Sequence, residues 1–520
     1  MRRWRGGRGA VAALAVGVMA LAGGALAGAA GAGIMARETP FQHGVFALAL
    51  DQAAGVAVVA SGDQNERQVR LLDPHSGAVR RVVTLPGQLW AAFEFGPTST
   101  LLLDQRRAQA YVTTYDRSDT HGPTIGYVNV IDTRRGALMN SAGAVWLRAP
   151  GVGGARTGRL TVRGLPMDMT MDERAGRLFV VNQIQTAIGL QRQGSVTVLD
   201  GRTGAVVVSE TLSGQTPEAV VVDEATGRAL VIGQRTDGLG NPAGPATLSV
   251  LDGTSGRVLS TVALPHSGGQ PVVATRLGRL FLSTSSGDLP HTGYLTTINT
   301  RTGRVIRAAA IEGAAYCAPV AVDETVGRAY LACADGERGP SGNDTAIVHA
   351  LDARNGRLLH ATAAPGLPRS IVVDSARGHL FLTLSHDDGT GKNDAPGSVA
   401  MLDARSGALL HTAAVGRNPN RALLDGRRGR LFVTADGPRA TDWPYWPPKG
   451  RGSVSVLDAA SGALLDTLPV GVQPGDMALD EGADRLLVLA RGGAIPDRAS
   501  TVKWAERLVP GSLTIVEQTR

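Results

Sequence analysis

The sequence contains none of the common catalytic signatures. It has no His-Glu-x-x-His, Gly-x-Ser-x-Gly or Walker loop, and no Gly-x-Gly-x-x-Gly between a strand and a helix. Cys-x-x-Cys-His, which attaches haem covalently, is also absent. The ten histidines are scattered without i, i+2 or i, i+4 pairs, whereas transition-metal sites need convergent ligands. This pattern favours a binding protein over an enzyme, and we expect no cofactor.

One loop is rich in oxygen ligands. It runs from His386 to Asp394, and its carboxylates are Asp387, Asp388 and Asp394. Carboxylate oxygens are the ligands that Ca²⁺ prefers, so the loop is a candidate calcium site. A solvated polar loop explains the same composition, and we favour that interpretation.

Aromatic residues concentrate in two segments near the C-terminal end. Trp443, Tyr445 and Trp446 share one Pro-rich insertion, and Trp504 lies in the next comparable segment. An indole is large and apolar and carries one hydrogen-bond donor, which suits a sugar or an aromatic ligand. The alternative is that these rings pack the loops onto the fold.

Five charged residues follow prolines that open short apolar strands. Proline is tolerated at a first strand position, where its missing N–H matters least. A mixture of charges around one opening could bind a small polar ligand, and a hydrated rim without a ligand is the alternative. The five candidates are Asp168, Glu218, Arg369, Arg421 and Asp476.

The two cysteines flank one predicted hairpin. Cys317 and Cys333 are nearly equidistant from its turn, so they should be neighbours across the two strands. An oxidising compartment permits a bond between them. The sequence therefore predicts a disulfide, with two buried thiols as the alternative.

A repeated sequence pattern predicts the strands and turns on which these residues lie. An alternating strand, an acidic or amide residue and a Gly turn recur about every 55 residues, the length of one four-stranded propeller blade. The turn-opening residues are Asp73, Asp132, Asp200, Asp252, Asn299, Asp352, Asp403, Asp458 and Glu517.

A second segment alternates with the first. It is an apolar hairpin whose turn reads Asp-x-x-x-Gly, as in Val220–Ile232, and the fifth copy has Thr275 where Asp is usual. The two segments predict blades of strands a to d, with the tight a–b and c–d turns on one face. The b–c and d–a connections vary in length and lie on the other face, which we expect to carry function.

The second strand of the hairpin has a recurring sequence. It reads Tyr111-Val112-Thr113-Thr114, and related strands begin at Leu178 and Leu431. With the Val-x-Val-Leu-Asp strand, this resembles the YVTN-type repeat of YncE-like extracytoplasmic proteins, from about residue 44 to 520. The resemblance implies an all-β propeller and leaves the ligand undefined.

We predict an all-β fold, a β-propeller of about nine repeats, with seven or eight blades in the ring as the alternative. The ninth copy lacks strand d, and an open ring would expose a long unpaired edge. Residues from about Ala36 to His43 are predicted to supply that outer strand.

Residues 1–36 are predicted to be a signal peptide or an N-terminal anchor, and residues 37–520 the propeller. A basic start precedes an apolar run from Ala10 to about Gly33, the order of a secretory signal. Small residues suitable for cleavage lie at Ala27 and near Ala36. We therefore expect an extracytoplasmic location.

The net charge of +7 carries little information about partners. Four arginines lie in the first eight residues, and no long basic run occurs elsewhere. Nucleic-acid binding requires a basic stripe and is not expected. We expect a monomer that contacts a membrane only through the N-terminal segment, if that segment is not cleaved.

Three function hypotheses remain. The first is a non-enzymatic scaffold that binds an unknown small polar ligand, glycan or protein through the variable-loop face. The second is an extracytoplasmic enzyme of the lyase, lactonase or quinone-dependent dehydrogenase type that uses the channel mouth. The third is a structural or adhesion protein of the cell envelope.

Overall fold

Two kinds of tight turn build the repeat. In the first a–b turn, Asp51 Oδ1 accepts the N–H of Ala54 at 2.8 Å, and Gly55 closes the turn at a φ of 62°. In the first c–d turn, Asp73 Oδ1 accepts the N–H of Ser76 at 2.8 Å. A short carboxylate that captures backbone donors, followed by a residue at positive φ, reverses the chain at low conformational cost.

The computed structural model describes residues 34–41, 44–62, 67–86, 88–89, 101–117, 124–143, 165–185, 192–212, 214–237, 243–266, 269, 271–285, 292–311, 314–335, 345–386, 395–439, 448–497, 500 and 506–518. All regular secondary structure in these ranges is β-strand.

The strands form nine antiparallel blades, whose strands a to d run from the channel outwards. Blade 1 comprises β2 (Gly44–Asp51), β3 (Val56–Gly62), β4 (Arg67–Leu72) and β5 (Val79–Thr84). Blade 2 comprises β7 (Leu101–Asp104), β8 (Gln109–Arg117), β9 (Thr124–Asp132) and β10 (Ala137–Gly143), with β6 (Gln88–Leu89) also paired to β8. Blade 3 comprises β11 (Leu165–Asp172), β12 (Arg177–Gln185), β13 (Arg192–Asp200) and β14 (Val206–Leu212). Blade 4 comprises β15 (Gln215–Asp223), β16 (Arg228–Arg235), β17 (Thr247–Asp252) and β18 (Val258–Ala263). Blade 5 comprises β19 (Pro271–Ala274), β20 (Arg279–Ser285), β21 (Gly293–Asn299) and β22 (Val305–Ile311). Blade 6 comprises β23 (Ala314–Asp323), β24 (Arg328–Asp335), β25 (Thr345–Asp352) and β26 (Leu358–Pro365).

Blades 7 to 9 complete the ring. They comprise β27 (Leu367–Asp374), β28 (His379–Ser385), β29 (Gly397–Asp403) and β30 (Leu409–Val415); β31 (Pro419–Asp425), β32 (Arg430–Ala435), β33 (Ser453–Asp458) and β34 (Leu464–Pro469); and β35 (Pro474–Asp480), β36 (Arg485–Ala490), β39 (Ser512–Gln518) and β1 (Ile34–Pro40). A two-stranded hairpin of β37 (Gly493–Pro496) and β38 (Glu506–Val509) is inserted between β36 and β39.

The core lies between neighbouring blades. Phe179 and Val196 of blade 3, for example, pack in one buried cluster with Val220 and Leu251 of blade 4. Because each blade is covered on both faces, strands b and c are nearly continuous apolar runs.

Strand β1 closes the ring as predicted. It pairs antiparallel with β39, from Ile34 opposite Gln518 to Pro40 opposite Ser512. Phe41 is buried in the same cluster as Leu487, which packs blade 1 against blade 9. The prediction of nine repeats is confirmed, and all nine lie in the ring, so the alternative of seven or eight ring blades is wrong.

The fifth a–b turn corrects one residue assignment. Ala274 pairs with Arg279, as Asp223 pairs with Arg228 in the preceding blade. Ala274 therefore occupies the aspartate position, and the assignment to Thr275 was wrong by one residue. Where the aspartate is missing, the position of the turn is defined by the pairing of the two strands in the structure.

Strand β1 begins at Ile34, within the segment 1–36 that the sequence predicts to be a signal peptide or an N-terminal anchor. Cleavage near Ala36 would remove part of β1, whereas cleavage after Ala27 leaves that strand intact. No helix in the described ranges is long and apolar enough to cross a membrane.

Cys317 and Cys333 form a disulfide. They lie opposite each other in the β23–β24 register with their Cα atoms 4.0 Å apart. Cys333 is fully buried among the apolar residues that join blades 5 and 6.

Candidate binding face

The two faces of the propeller are described to different extents. Every a–b and c–d turn lies within the described ranges, whereas the internal gaps all fall in b–c or d–a connections. Several predicted site residues lie in these gaps, outside the described residues: Asp387, Asp388, Asp394, Trp443, Tyr445, Trp446 and Trp504.

Inner strands are bulged where the charged candidates lie. Register irregularities occur in β2, β11, β15, β23, β27, β31 and β35, seven of the nine inner strands. A bulge leaves a residue unpaired and redirects its side chain. Glu218, Arg369 and Asp476 lie within such bulges, and Asp168 and Arg421 directly follow one.

Three of the five charged candidates do not converge. Asp168 is buried, and its Oδ2 accepts the N–H of Val220 in the next blade at 3.0 Å. Arg369 Nε donates to Ser385 Oγ at 2.8 Å within its own blade. Glu218 is exposed to water on the inner strand, yet desolvation by the surrounding strands raises its pKa.

The other two candidates form an ion pair between blades 8 and 9. Arg421 Nη1 lies 3.1 Å from Asp476 Oδ1. The neighbouring Asn420 donates its Nδ2 to Pro474 O at 2.7 Å, which joins the same two inner strands. Side-chain contacts thus connect consecutive blades at this position.

Asp436 extends this contact towards the loops. Asn420 Nδ2 donates to Asp436 Oδ1 at 2.9 Å, and Arg439 Nη2 donates to Asp436 Oδ2 at 3.1 Å. Burial raises the pKa of Asp436, although the charges of Arg439 and Arg491 act in the opposite direction. We refer to Asn420, Arg421, Asp436, Arg439 and Asp476 as the blade 8/9 polar cluster.

The blade 8/9 polar cluster lies at the base of the aromatic insertion. Arg439 forms a β-bridge with Pro448, and the N–H of Lys449 donates to Pro438 O at 2.8 Å. These contacts hold together the two ends of the segment 440–447.

The connection that contains Trp504 leaves the propeller nearby. It begins after β36, where the N–H of Arg491 donates to Gln473 O at 3.0 Å, and it includes the β37–β38 hairpin. Gln473 directly precedes Pro474, whose carbonyl accepts from Asn420, so the bases of both tryptophan-bearing connections lie beside the blade 8/9 polar cluster.

This arrangement suits recognition of a polar group. Amide, guanidinium and carboxylate groups from two blades are held in fixed positions, so that little ordering is needed when a ligand binds. In the described ranges, no three His, Cys, Asp or Glu side chains are grouped to hold a metal ion.

Sequence reasoning identified Arg421 and Asp476 but missed Asn420, Asp436 and Arg439. The only available signal was their position: Asn420 follows the inner-strand proline, and Asp436 directly follows β32. Their contacts depend on how two blades stack, which the repeat pattern does not specify.

A shallow depression lies on the tight-turn face. Its volume is about 380 Å³, and its lining includes Asp172, Arg174, Glu224, Thr226 and Thr254 of blades 3 and 4. Glu224 accepts the N–H of Glu173 at 2.7 Å, so its carboxylate already stabilises a neighbouring turn. Burial, and then the charge of Glu224, raise the pKa of Asp172.

Comparison with known proteins supports the fold. A family model described as outer membrane protein assembly factor BamB matches residues 245–437, less than half of the chain. No curated protein matches the sequence.

Solved structures resemble the chain at low identity. A dihydro-heme d1 dehydrogenase, NirN, is 13% identical with a TM-score of 0.49, covering 84% of this chain and 78% of its own. BamB from Moraxella catarrhalis is 14% identical with a TM-score of 0.42, covering 76% and 95%. A quinohemoprotein alcohol dehydrogenase from Comamonas testosteroni is 12% identical with a TM-score of 0.43, covering 93% and 77%. The chain is a nine-bladed β-propeller whose segment from blade 4 to blade 8 matches the BamB family model.

Proposed function

We propose that the chain is an exported, YVTN-type propeller that acts outside the cytoplasm as a non-enzymatic binding or scaffold protein. Its binding surface is the face of b–c and d–a connections, and its ligand is a small polar molecule, a glycan or a protein. The observation that carries this proposal is the blade 8/9 polar cluster at the base of both tryptophan-bearing connections.

The chemistry of the blade 8/9 polar cluster supports this proposal. Arg421 keeps 59% of its side chain exposed while paired with Asp476, so the guanidinium retains donors for a ligand. Asn420 anchors the neighbouring strand and Asp436. Binding hot spots are enriched in Trp, Tyr and Arg, and the sequences of the two connections supply Trp443, Tyr445, Trp446 and Trp504.

Photo-crosslinking in the producing cells tests the proposal. A crosslinking residue replaces Arg421 in one variant and Arg405, in the c–d turn of blade 7, in a matched control. We expect one reproducible adduct from position 421, and from position 405 no adduct other than lipid. Protein, glycan or small-ligand adducts from position 405 alone would refute the proposed face.

An extracytoplasmic enzyme is the second candidate, and Glu218 is the observation that favours it. Its side chain is exposed on an inner strand, and desolvation by the surrounding strands raises its pKa, which is the direction that favours a general base. A chromophore or a stoichiometric metal in protein purified from its source would favour this candidate. Turnover that is lost in Glu218→Gln would replace the scaffold proposal.

A further inference from the structure

Blade 5 differs from the other blades in charge. Its described residues, 271–285 and 292–311, contain five arginines and no aspartate or glutamate. All five are in or near the tight turns, so their charge collects on one face. They are Arg276, Arg279, Arg301, Arg304 and Arg307.

The excess charge arises from two substitutions in the repeat. Ala274 and Asn299 occupy positions that hold acidic residues in the other blades. In blade 3, Arg177 Nη1 pairs with Asp200 Oδ2 at 3.0 Å. The equivalent Arg279 has Asn299 in place of that carboxylate and keeps only the contact to the next blade, where its Nε donates to Arg354 O at 3.0 Å, as Arg177 Nε donates to Thr254 O.

Arginines on both neighbouring blades enlarge this patch. Arg257 follows the c–d turn of blade 4, and Arg354 and Arg357 lie in and after that of blade 6. All three are exposed, as are four of the five in blade 5. Within the described part of the chain, none of the eight arginines forms an ion pair. The acidic residues of the same turns are fewer than the arginines: Asp223, Glu224 and Asp252 in blade 4, and Asp323, Glu324 and Asp352 in blade 6.

Exposed aliphatic residues surround the same face. They begin strand d just after the c–d turn in seven of the nine blades, and Leu259, beside Arg257, is 53% exposed. The repeated set is Val79, Leu138, Met139, Val207, Val258, Leu259, Leu358, Leu409, Leu410, Leu464 and Leu465.

Two further features bear on what contacts this face. The tight turns have nearly uniform lengths, so no long loop projects and the surface is level. Ile34 pairs with Gln518 at the end of strand c, so β1 begins on this face. The sequence before β1, from Ala10 to Gly33, is apolar.

We propose that the tight-turn face docks on an anionic lipid bilayer, with the arginines of blades 4 to 6 against the headgroups. A level face with a cationic patch over blades 4 to 6 and an aliphatic rim fits a bilayer interface, where electrostatic attraction and apolar contact act together. A nucleic acid would use the arginines but not the rim. The sequence alone predicts membrane contact only through the N-terminal segment, and the tight-turn face would be a second contact. This second contact does not depend on any partner bound at the opposite face.

Vesicle co-sedimentation of the full chain tests the inference. We expect binding to mixed phosphatidylglycerol–phosphatidylcholine vesicles and much weaker binding to phosphatidylcholine alone. Arg301→Gln with Arg304→Gln should weaken binding about 30-fold, because each arginine near an anionic surface contributes about 1 kcal/mol. The matched control is Arg235→Gln with Arg451→Gln, two exposed arginines at the b–c end of blades 4 and 8, which should bind as the wild type does.

Several results would overturn the inference. Equal wild-type binding to both vesicle types would place attachment in the N-terminal segment alone. Binding of the Arg301/Arg304 variant at wild-type strength would exclude the patch, as would wild-type binding unchanged from low salt to 0.5 M salt, since salt screens such contacts. Retention on heparin without vesicle binding would assign the patch to a different polyanion.

Discussion

Arg421 and Asp476 form a 3.1 Å ion pair that links the inner strands of blades 8 and 9 at the proposed binding face. Because Arg421 is largely exposed, the pair should contribute no more than about 1 kcal/mol to stability. We therefore expect Arg421→Ala and Asp476→Ala to leave the free energy of unfolding nearly unchanged, as measured by chemical denaturation. Arg235→Ala provides the baseline for an exposed arginine. A loss of several kcal/mol would make the pair a structural contact.

The disulfide should stabilise the hairpin of blade 6. Replacing Cys317 and Cys333 together by Ala should cost stability near the lower end of the ~2–4 kcal/mol typical of disulfides, because the closed loop is short. Reduction should lower the melting temperature of the wild type and leave that of the variant unchanged. Alkylation of unreduced, unfolded wild type at two thiols per chain would contradict the bond.

Because β1 closes the ring, substitutions at adjacent residues of this strand should differ in their effect on the free energy of unfolding. Ala36 is 8% exposed and packs between blades 8 and 9, whereas Arg37 is exposed. Ala36→Glu should destabilise the protein by at least about 2 kcal/mol, since it buries a charge. Arg37→Glu should change stability by about 0.5 kcal/mol or less. Equal effects in thermal unfolding would argue against a docked β1.

His349 should make stability depend on pH. Burial lowers the pKa of its imidazole to about 4, from 6.5 in the unfolded chain. The unfolded state therefore binds the proton more readily, so this contribution is fully present above pH 6.5 and is lost as the pH falls towards 4. Between pH 7 and pH 5 the loss should be about 2 kcal/mol. His349→Met should flatten the dependence in denaturation measured at both pH values, and an unchanged slope would exclude His349 as its source.

Much of the architecture could be predicted from the sequence because each blade repeats the same turn chemistry. Asp and Gly at fixed offsets mark most of the turns. Because the ninth repeat lacks strand d, the sequence also predicts that the residues after the N-terminal apolar segment supply it. The fifth a–b turn was misplaced by one residue because Ala274 lacks the aspartate that marks the others.

The site and the cationic patch were less predictable because both depend on contacts between repeats. Arg421 and Asp476 were recognised separately, but their pairing depends on how consecutive inner strands align. Asn420 and Asp436 have no distinctive motif. The repeat pattern does not show that the arginines of neighbouring blades lie close together. In the ring, Arg279 of blade 5 donates to the carbonyl of Arg354 in blade 6.

The most direct test of the central claim compares two variants for affinity towards the partner captured at position 421. One variant combines Trp443→Ala, Trp446→Ala and Arg421→Ala on the b–c and d–a face. The other combines Arg202→Ala and Arg405→Ala in c–d turns. We expect at least about a 30-fold loss for the first, as for a hot spot worth about 2 kcal/mol, and a negligible change for the second. Unchanged affinity in the first variant with loss in the second would contradict it.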